Sequence, residues 1–294
     1  MRAQFVASSI NTESTRFFDF AARAEIGARF SCIEMMREGF PSQFSLHYQV
    51  QANQAGKPFG AEALLRWCHP ECGMVSPSTF IPLAEESGLI FDIGSWVMET
   101  ACQQLAKWSK NPAMRHIRLS VNVSAIEFER SDFSQQVRSI LERTGADPSL
   151  LEIELTESLM VSDFEDVAQK MLLLNRRGVS FAIDDFGTGY SSLWYLKHLP
   201  IKRLKIDQSF VHGIAEDDAD AVIVRAVISL AHSLGIDVVA EGVESELQCV
   251  LLEEDGCSHF QGYLFGKPLP LADFELLLAD PLASLRPARS RLCA

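Results

Sequence analysis

The 294-residue chain has no uninterrupted apolar run of about 18 residues, the length a membrane-crossing helix needs. Its most apolar stretch, residues 221–234, is broken by Arg225 and His232. Positive charge is also short. Lys and Arg number 26 against 39 Asp and Glu, for a net charge of −13. That argues against a broad basic face gripping a DNA or RNA polymer. Cysteines are few and odd in number: Cys32, Cys68, Cys72, Cys102, Cys249, Cys257 and Cys293. Scattered in this way, they read as reduced thiols and not as a disulfide framework. The opening residues lack the apolar core of a signal peptide. The expectation is a cytoplasmic protein with no membrane span. There is no GxGxxG, Walker A loop, HExxH or GxSxG. The segment Cys68-His69-Pro70-Glu71-Cys72 lacks the second ligand pair a zinc site needs, so it reads as loop or buried thiols.

What is present is an ordinary packed-core composition, 47% hydrophobic and 22% charged. Short β-type runs start at residues 44, 61, 117, 150, 179, 202, 237 and 259. Helical spacing falls between most of them, over 92–109, 164–176 and 218–234, with Gly178 and Gly235 following the last two. Eight strands alternating with helices predict an α/β fold, a modified (β/α)8 TIM-like barrel. An open doubly wound sheet is the runner-up, disfavoured by the missing glycine-rich turn. The first two runs are too close for a crossover helix, so they should pair antiparallel. Three segments are expected: an N-terminal helical or linker segment over 1–40, a barrel over 41–282 and a tail over 283–294. Ile26, Phe30, Ile33 and Met36 share one helical face, which packs on the barrel or meets a sensor or signalling partner.

Polar residues end otherwise apolar strands: Glu62, Asn122, Glu154, Asp184 with Asp185, Lys205, Glu241 and Gln261. Parallel-barrel strand ends meet at one mouth, so these residues should converge. Two carboxylates about 4 Å apart repel by roughly 4 kcal/mol at an effective dielectric of about 20. Lys205 alone cannot balance five of them. Either several are protonated or cations sit among them. An all-oxygen set that includes the Asn122 amide suits Mg²⁺ or Mn²⁺, and two such ions make an apparatus for phosphoester hydrolysis. Lys205 would hold the water or the developing charge, and Arg66 would grip a phosphate. Gly187-Thr188-Gly189 is a turn that shapes the metal site or an interface, or cradles a phosphate. The competing readings are separate strand-end caps and ion pairs, or a metal-free glycoside hydrolase.

The ordered motifs EALLRW (62–67), FIPLAEESGLI (80–90), VNVSA (121–125), ELTES (154–158), IDDFGTGYSSL (183–193), LKIDQSF (204–210), AEGVE (240–244) and QGYLFGKPLP (261–270) resemble those of EAL-domain cyclic-di-GMP phosphodiesterases. The resemblance covers about residues 42–280. It implies a barrel with one antiparallel strand that opens cyclic-di-GMP to linear pGpG with two Mg²⁺ or Mn²⁺ ions, and that Ca²⁺ inhibits. It implies metal ligation by Glu62, Asn122, Glu154, Asp184 and Asp185. Lys205 or Glu241 would position or deprotonate the attacking water, supported by Gln261. Gln49, Leu64, Arg66 and Glu244 would meet the nucleotide. Glu157 would brace the loop containing Gly187, Thr188 and Gly189, which couples the site to a homodimer interface. The family also contains receptors that bind cyclic-di-GMP without turnover. That alternative is disfavoured here because every motif position is intact. Val50 stands where the family usually has proline.

Overall fold

The computed structural model describes residues 27–157, 163–187, 193–279 and 285. They form two compact units. One takes in the described residues up to Phe44 together with Trp67–Ile90; the other takes in Ser45–Arg66 and the described residues from Phe91 onward.

The first unit holds helix α1 (27–39), the start of strand β1 (Phe44–Asn53), the end of β2 (Pro58–His69), β3 (Gly73–Val75) and helix α2 (Pro77–Ser87). Its core is aromatic. The Phe44 and Trp67 rings stack at 5.6 Å, and Phe80 meets both edge-on. On α1, Met36 is buried and Phe30 is exposed; Ile26 lies outside the described residues. His69 Nδ1 accepts the backbone N–H groups of Glu71 and Cys72, so the ring closes the β2–β3 turn. That role leaves the Cys–His segment as a turn. The six described cysteines are free thiols.

The second unit is the barrel. Its further strands are β4 (Arg118–Val123), β5 (Leu151–Thr156), β6 (Ser180–Phe186), β7 (Arg203–Ile206), β8 (Asp237–Ala240), β9 (His259–Gln261) and the short β10 (Leu269–Pro270). The helices are α3 (Ile90–Trp108), α4 (Ala125–Phe128), α5 (Phe133–Thr144), α6 (Phe164–Asn175), α7 (Leu193–His198), α8 (Gln208–Gly213), α9 (Asp218–Leu234), α10 (Glu246–Glu254) and α11 (Leu271–Ala279). None of the described helices is long and apolar enough to cross a membrane.

Strand order is β1-β9-β8-β7-β6-β5-β4-β2, and β2 pairs back with β1, so the sheet closes on eight strands. From β2 round to β9 every pairing is parallel; β1 runs antiparallel to β9. The reversal follows from the tight β1–β2 turn. Asn53 Oδ1 accepts the N–H groups of Ala55 and Lys57, and Gly56 takes a φ of 69°. All eight expected runs contain a strand, and the reversed one is where the short gap put it. The two or three residues of β10 and β3 are too short to carry a periodic signal.

Alternation along the strands sorts the barrel's residues. Leu119, Val121, Ile153, Leu155, Phe181, Ile183, Leu204 and Ile206 are buried and form the apolar layer under the helices. The intervening positions point inward and are polar: Ser120 and Asn122, Glu152 and Glu154, Arg203 and Lys205. This polar interior positions the site.

Candidate active site

Lys205, fully buried on β7, is the hub. Its Nζ lies 2.7 Å from Glu154 Oε2, 2.7 Å from Glu241 Oε1, 3.1 Å from Asp184 Oδ1 and 3.3 Å from Glu62 Oε2. These acids come from β5, the end of β8, β6 and β2. Asn122 Nδ2 donates to Glu62 Oε1 at 2.5 Å, and Gln261 Nε2 donates to Glu62 Oε2 at 2.6 Å. Gln261 is itself held by Gln49 and Gln51. Glu62 sits within β2 and not at its end, because β2 continues to His69 and pairs there with β3.

Adjacent Asp184 and Asp185 would point to opposite faces of a regular strand. Here the β6–β7 register shifts between Ile183 and Phe186, and Asp185 takes a φ of 52°. Asp tolerates that left-handed conformation better than most residues. The Asp185 N–H then donates to Asp184 Oδ1 at 3.0 Å. This bulge turns both carboxylates toward the mouth. Two acidic triads result, Glu62–Glu154–Asp184 and Asp184–Asp185–Glu241, each with ligand oxygens within 4.8 Å of one another. Asp184 belongs to both.

The electrostatics are those of crowded acids around one cation. Burial raises Glu154, Asp184 and Glu241 above the ordinary carboxyl range; Lys205 pulls against this, while the neighbouring carboxylates push the same way as burial. Burial opposes ionisation of Glu62 too, but Lys205 and the bonds from Gln261 and Asn122 outweigh it and hold Glu62 low. Asp185 is pushed up to about 6 by burial, then by Asp184 and Asp207. Burial disfavours the charged form of Lys205, yet four acids hold its pKa well above normal.

The residues fit divalent cations. Glu154 Oε1 is buried and has no hydrogen-bond partner, an open acceptor inside a cluster short of positive charge. The donors are all carboxylate or amide oxygens, the chemistry of Mg²⁺ and Mn²⁺.

Beside the cluster opens a cleft of about 360 Å³. Its walls include Glu62, Asp184, Glu241 and Gln261 together with Gln49, Leu64, Arg66 and Glu244. Glu157, at the end of β5, accepts the Gly187 N–H at 3.2 Å through Oε2. Thr188 and Gly189 lie outside the described residues.

A family model described as EAL domain matches residues 34–268. The chain belongs to the EAL domain family. Over 266 residues it is 41% identical to the bifunctional diguanylate cyclase/cyclic di-GMP phosphodiesterase MucR of Pseudomonas aeruginosa, covering 90% of this chain and 38% of that protein. It is also 41% identical, over 254 residues, to the cyclic di-GMP phosphodiesterase NbdA of the same organism, covering 84% of this chain and 32% of that one. The chain thus spans about a third of the length of these curated relatives. Among solved structures, the PaMucR phosphodiesterase in complex with c-di-GMP aligns with a TM-score of 0.80 and 41% identity, over 83% of this chain and 99% of that one. The EAL enzyme Bd1971 in its cGMP-bound form aligns with a TM-score of 0.82 and 33% identity, over 90% of this chain and 73% of that one.

Three residues of this EAL domain escaped the sequence reading. Asp207 contacts Asp185 and helps to raise it. Its place two residues beyond Lys205 was the available signal. Tyr263 and Gln208 line the cleft, and Tyr263 is 55% exposed. An aromatic after Gln261 carries no site signal until the loop places it.

Proposed function

We propose that this EAL domain is a metal-dependent phosphodiesterase that hydrolyses cyclic-di-GMP to linear pGpG. The observation that carries the reading is the pair of acidic triads sharing Asp184 around Lys205, with Glu154 Oε1 left open. The names of MucR and NbdA, and the c-di-GMP in the MucR complex, support it.

Glu62, Asn122, Glu154, Asp184 and Asp185 would hold two Mg²⁺ or Mn²⁺ ions. When bound, such ions supply Lewis-acid activation of water and neutralise phosphate charge. Arg66, half-buried in the cleft wall, binds a non-bridging phosphate oxygen. Gln49, Leu64 and Glu244 contact the nucleotide, and the exposed face of Tyr263 offers a base a stacking surface. Lys205 keeps its proton, ringed as it is by four acids, and stabilises negative charge developing on phosphate. Glu241, in the cleft wall 2.7 Å from Lys205, takes the proton of the attacking water in its ionised form. Water oxygen bonds to phosphorus, the P–O3′ bond breaks, and the departing 3′ oxygen takes a proton from solvent water while the proton on Glu241 returns to solvent. Gln261 orients Glu62 through its 2.6 Å bond.

A cytoplasmic location accords with the free thiols. A homodimer would use the exposed aromatic surface of Trp194, whose ring packs on Phe164. The 27–39 helix, with exposed Phe30, is the surface for a sensor partner.

The test is incubation of the purified chain with cyclic-di-GMP and Mn²⁺, with products resolved by chromatography. Linear pGpG is expected, and Asp184→Asn should abolish it, by at least about 100-fold. Binding without product would make the chain a receptor; neither would reject the substrate. Ca²⁺ should inhibit, because it prefers longer bonds and more ligands. Brisk turnover with Ca²⁺ alone contradicts this.

A further inference from the structure

A second charged layer lies inside the barrel beneath the cluster. Glu152 and Arg203 are 0% and 2% exposed. Arg203 Nη1 donates to Glu152 Oε1. Ser120 Oγ donates to the same oxygen, and Ser180 Oγ donates to Oε2, each at 3.2 Å. The Arg203 guanidinium covers the Phe59 ring at 5.3 Å, and its far end lies 3.9 Å from Asp237. Neither Glu152 nor Arg203 lines the cleft.

This pair repeats the Glu154–Lys205 pair two residues lower on both strands. In each, the acid comes from β5 and the base from β7, across β6. Ala182 pairs with Glu154 on one side and with Arg203 on the other, and its small side chain leaves the crossing open. The β6–β7 ladder is interrupted at the height of the site. It pairs Ala182 with Arg203 and Ile183 with Leu204, then shifts before Phe186 meets Ile206. On that side the ladder alone sets the height of Lys205 poorly. A buried ion pair is weak evidence for stability, since desolvation offsets attraction; its better-attested use is to fix register. Arg203 also cancels a carboxylate that would otherwise add to the crowd above it.

We propose that the Arg203–Glu152 pair is a positioning device, which fixes β7 against β5 below the bulge and so sets Lys205 Nζ against Glu154 and the metal-ligating acids. The activity readout rests on the phosphodiesterase reading; the metal-affinity readout does not.

The experiment compares the wild type with Arg203→Met/Glu152→Met, which removes both charges and keeps buried volume. Mn²⁺ affinity is measured by electron paramagnetic resonance, and kcat and KM on cyclic-di-GMP are measured well below the melting temperature. We expect a cooperative melt, Mn²⁺ bound about tenfold more weakly, and kcat about tenfold lower with KM little changed. Arg203→Lys, which keeps the cation, should restore most of both. If the double variant does not fold, Glu152→Gln is read in the same way, with the same losses expected. Wild-type Mn²⁺ affinity and kcat in the folded variant would overturn the proposal, whatever the melting temperature. An inactive wild type would defeat the phosphodiesterase reading and leave the Mn²⁺ comparison to decide this one.

Discussion

Lys205 serves four carboxylates with one charge, and Glu154 shows what that costs. One of its oxygens faces Lys205 at 2.7 Å; the other is buried and unbonded. Neutralising Glu154 should relieve the metal-free protein and ruin the metal site. Glu154→Gln is therefore expected to raise the melting temperature in EDTA by a few degrees, the effect of about 1 kcal/mol. The rise that Mn²⁺ gives the wild type should disappear in it. Thermal denaturation with and without Mn²⁺ checks both; an unchanged Mn²⁺ response contradicts the assignment. Asp185 gives a pH prediction. Its folded pKa is raised, from the ordinary aspartate value of 3.8 to about 6. Between about pH 4 and 6 the folded, metal-free protein binds more protons there than the unfolded chain, so this contribution to stability is lost as pH rises. The stability of the wild type relative to Asp185→Asn should fall across that window in EDTA. With Mn²⁺ the trend should reverse, because ligation needs the ionised carboxylate. A flat difference would show that Asp185 is not held as described.

At the scale of elements, the β6 bulge does the assembling. It lets two consecutive residues serve one cluster, through a left-handed Asp185. A β-branched residue there is strained. Asp185→Val should destabilise by roughly 1–2 kcal/mol more than Asp185→Gly, although both lose the carboxylate. Chemical denaturation of the two variants measures this; equal stabilities would mean the bulge relaxes freely. The bulge also marks the limit of what the sequence reveals. The eight strands and the reversal of β1 were legible, because each run is apolar in a recognisable period and the β1–β2 gap is too short for a helix. Convergence of Glu62, Asn122, Glu154, Asp184, Lys205 and Glu241 followed from parallel-barrel geometry. A turn of the backbone at the strand end, letting both Asp184 and Asp185 reach the cluster, was expected; its form as a left-handed bulge was not legible, since a bulge has no composition of its own. Asp207 also caps helix α8, accepting the Ser209 N–H. The lower Glu152–Arg203 layer was hidden because register, not local pattern, brings residues 51 apart in sequence together.

On the scale of the molecule, a net charge of −13 and a cleft floored by carboxylates would repel a dianionic cyclic dinucleotide. Arg66 supplies one local counter-charge, and in the proposed reading bound cations would supply the rest. The whole account therefore turns on whether the mouth of this barrel gathers metal. The most direct measurement is anomalous diffraction at the manganese edge from crystals grown in Mn²⁺. Two peaks are expected, one bounded by Glu62, Glu154 and Asp184, the other by Asp184, Asp185 and Glu241. A map with no manganese there, and Lys205 still closed on its four acids, would contradict the account at its centre.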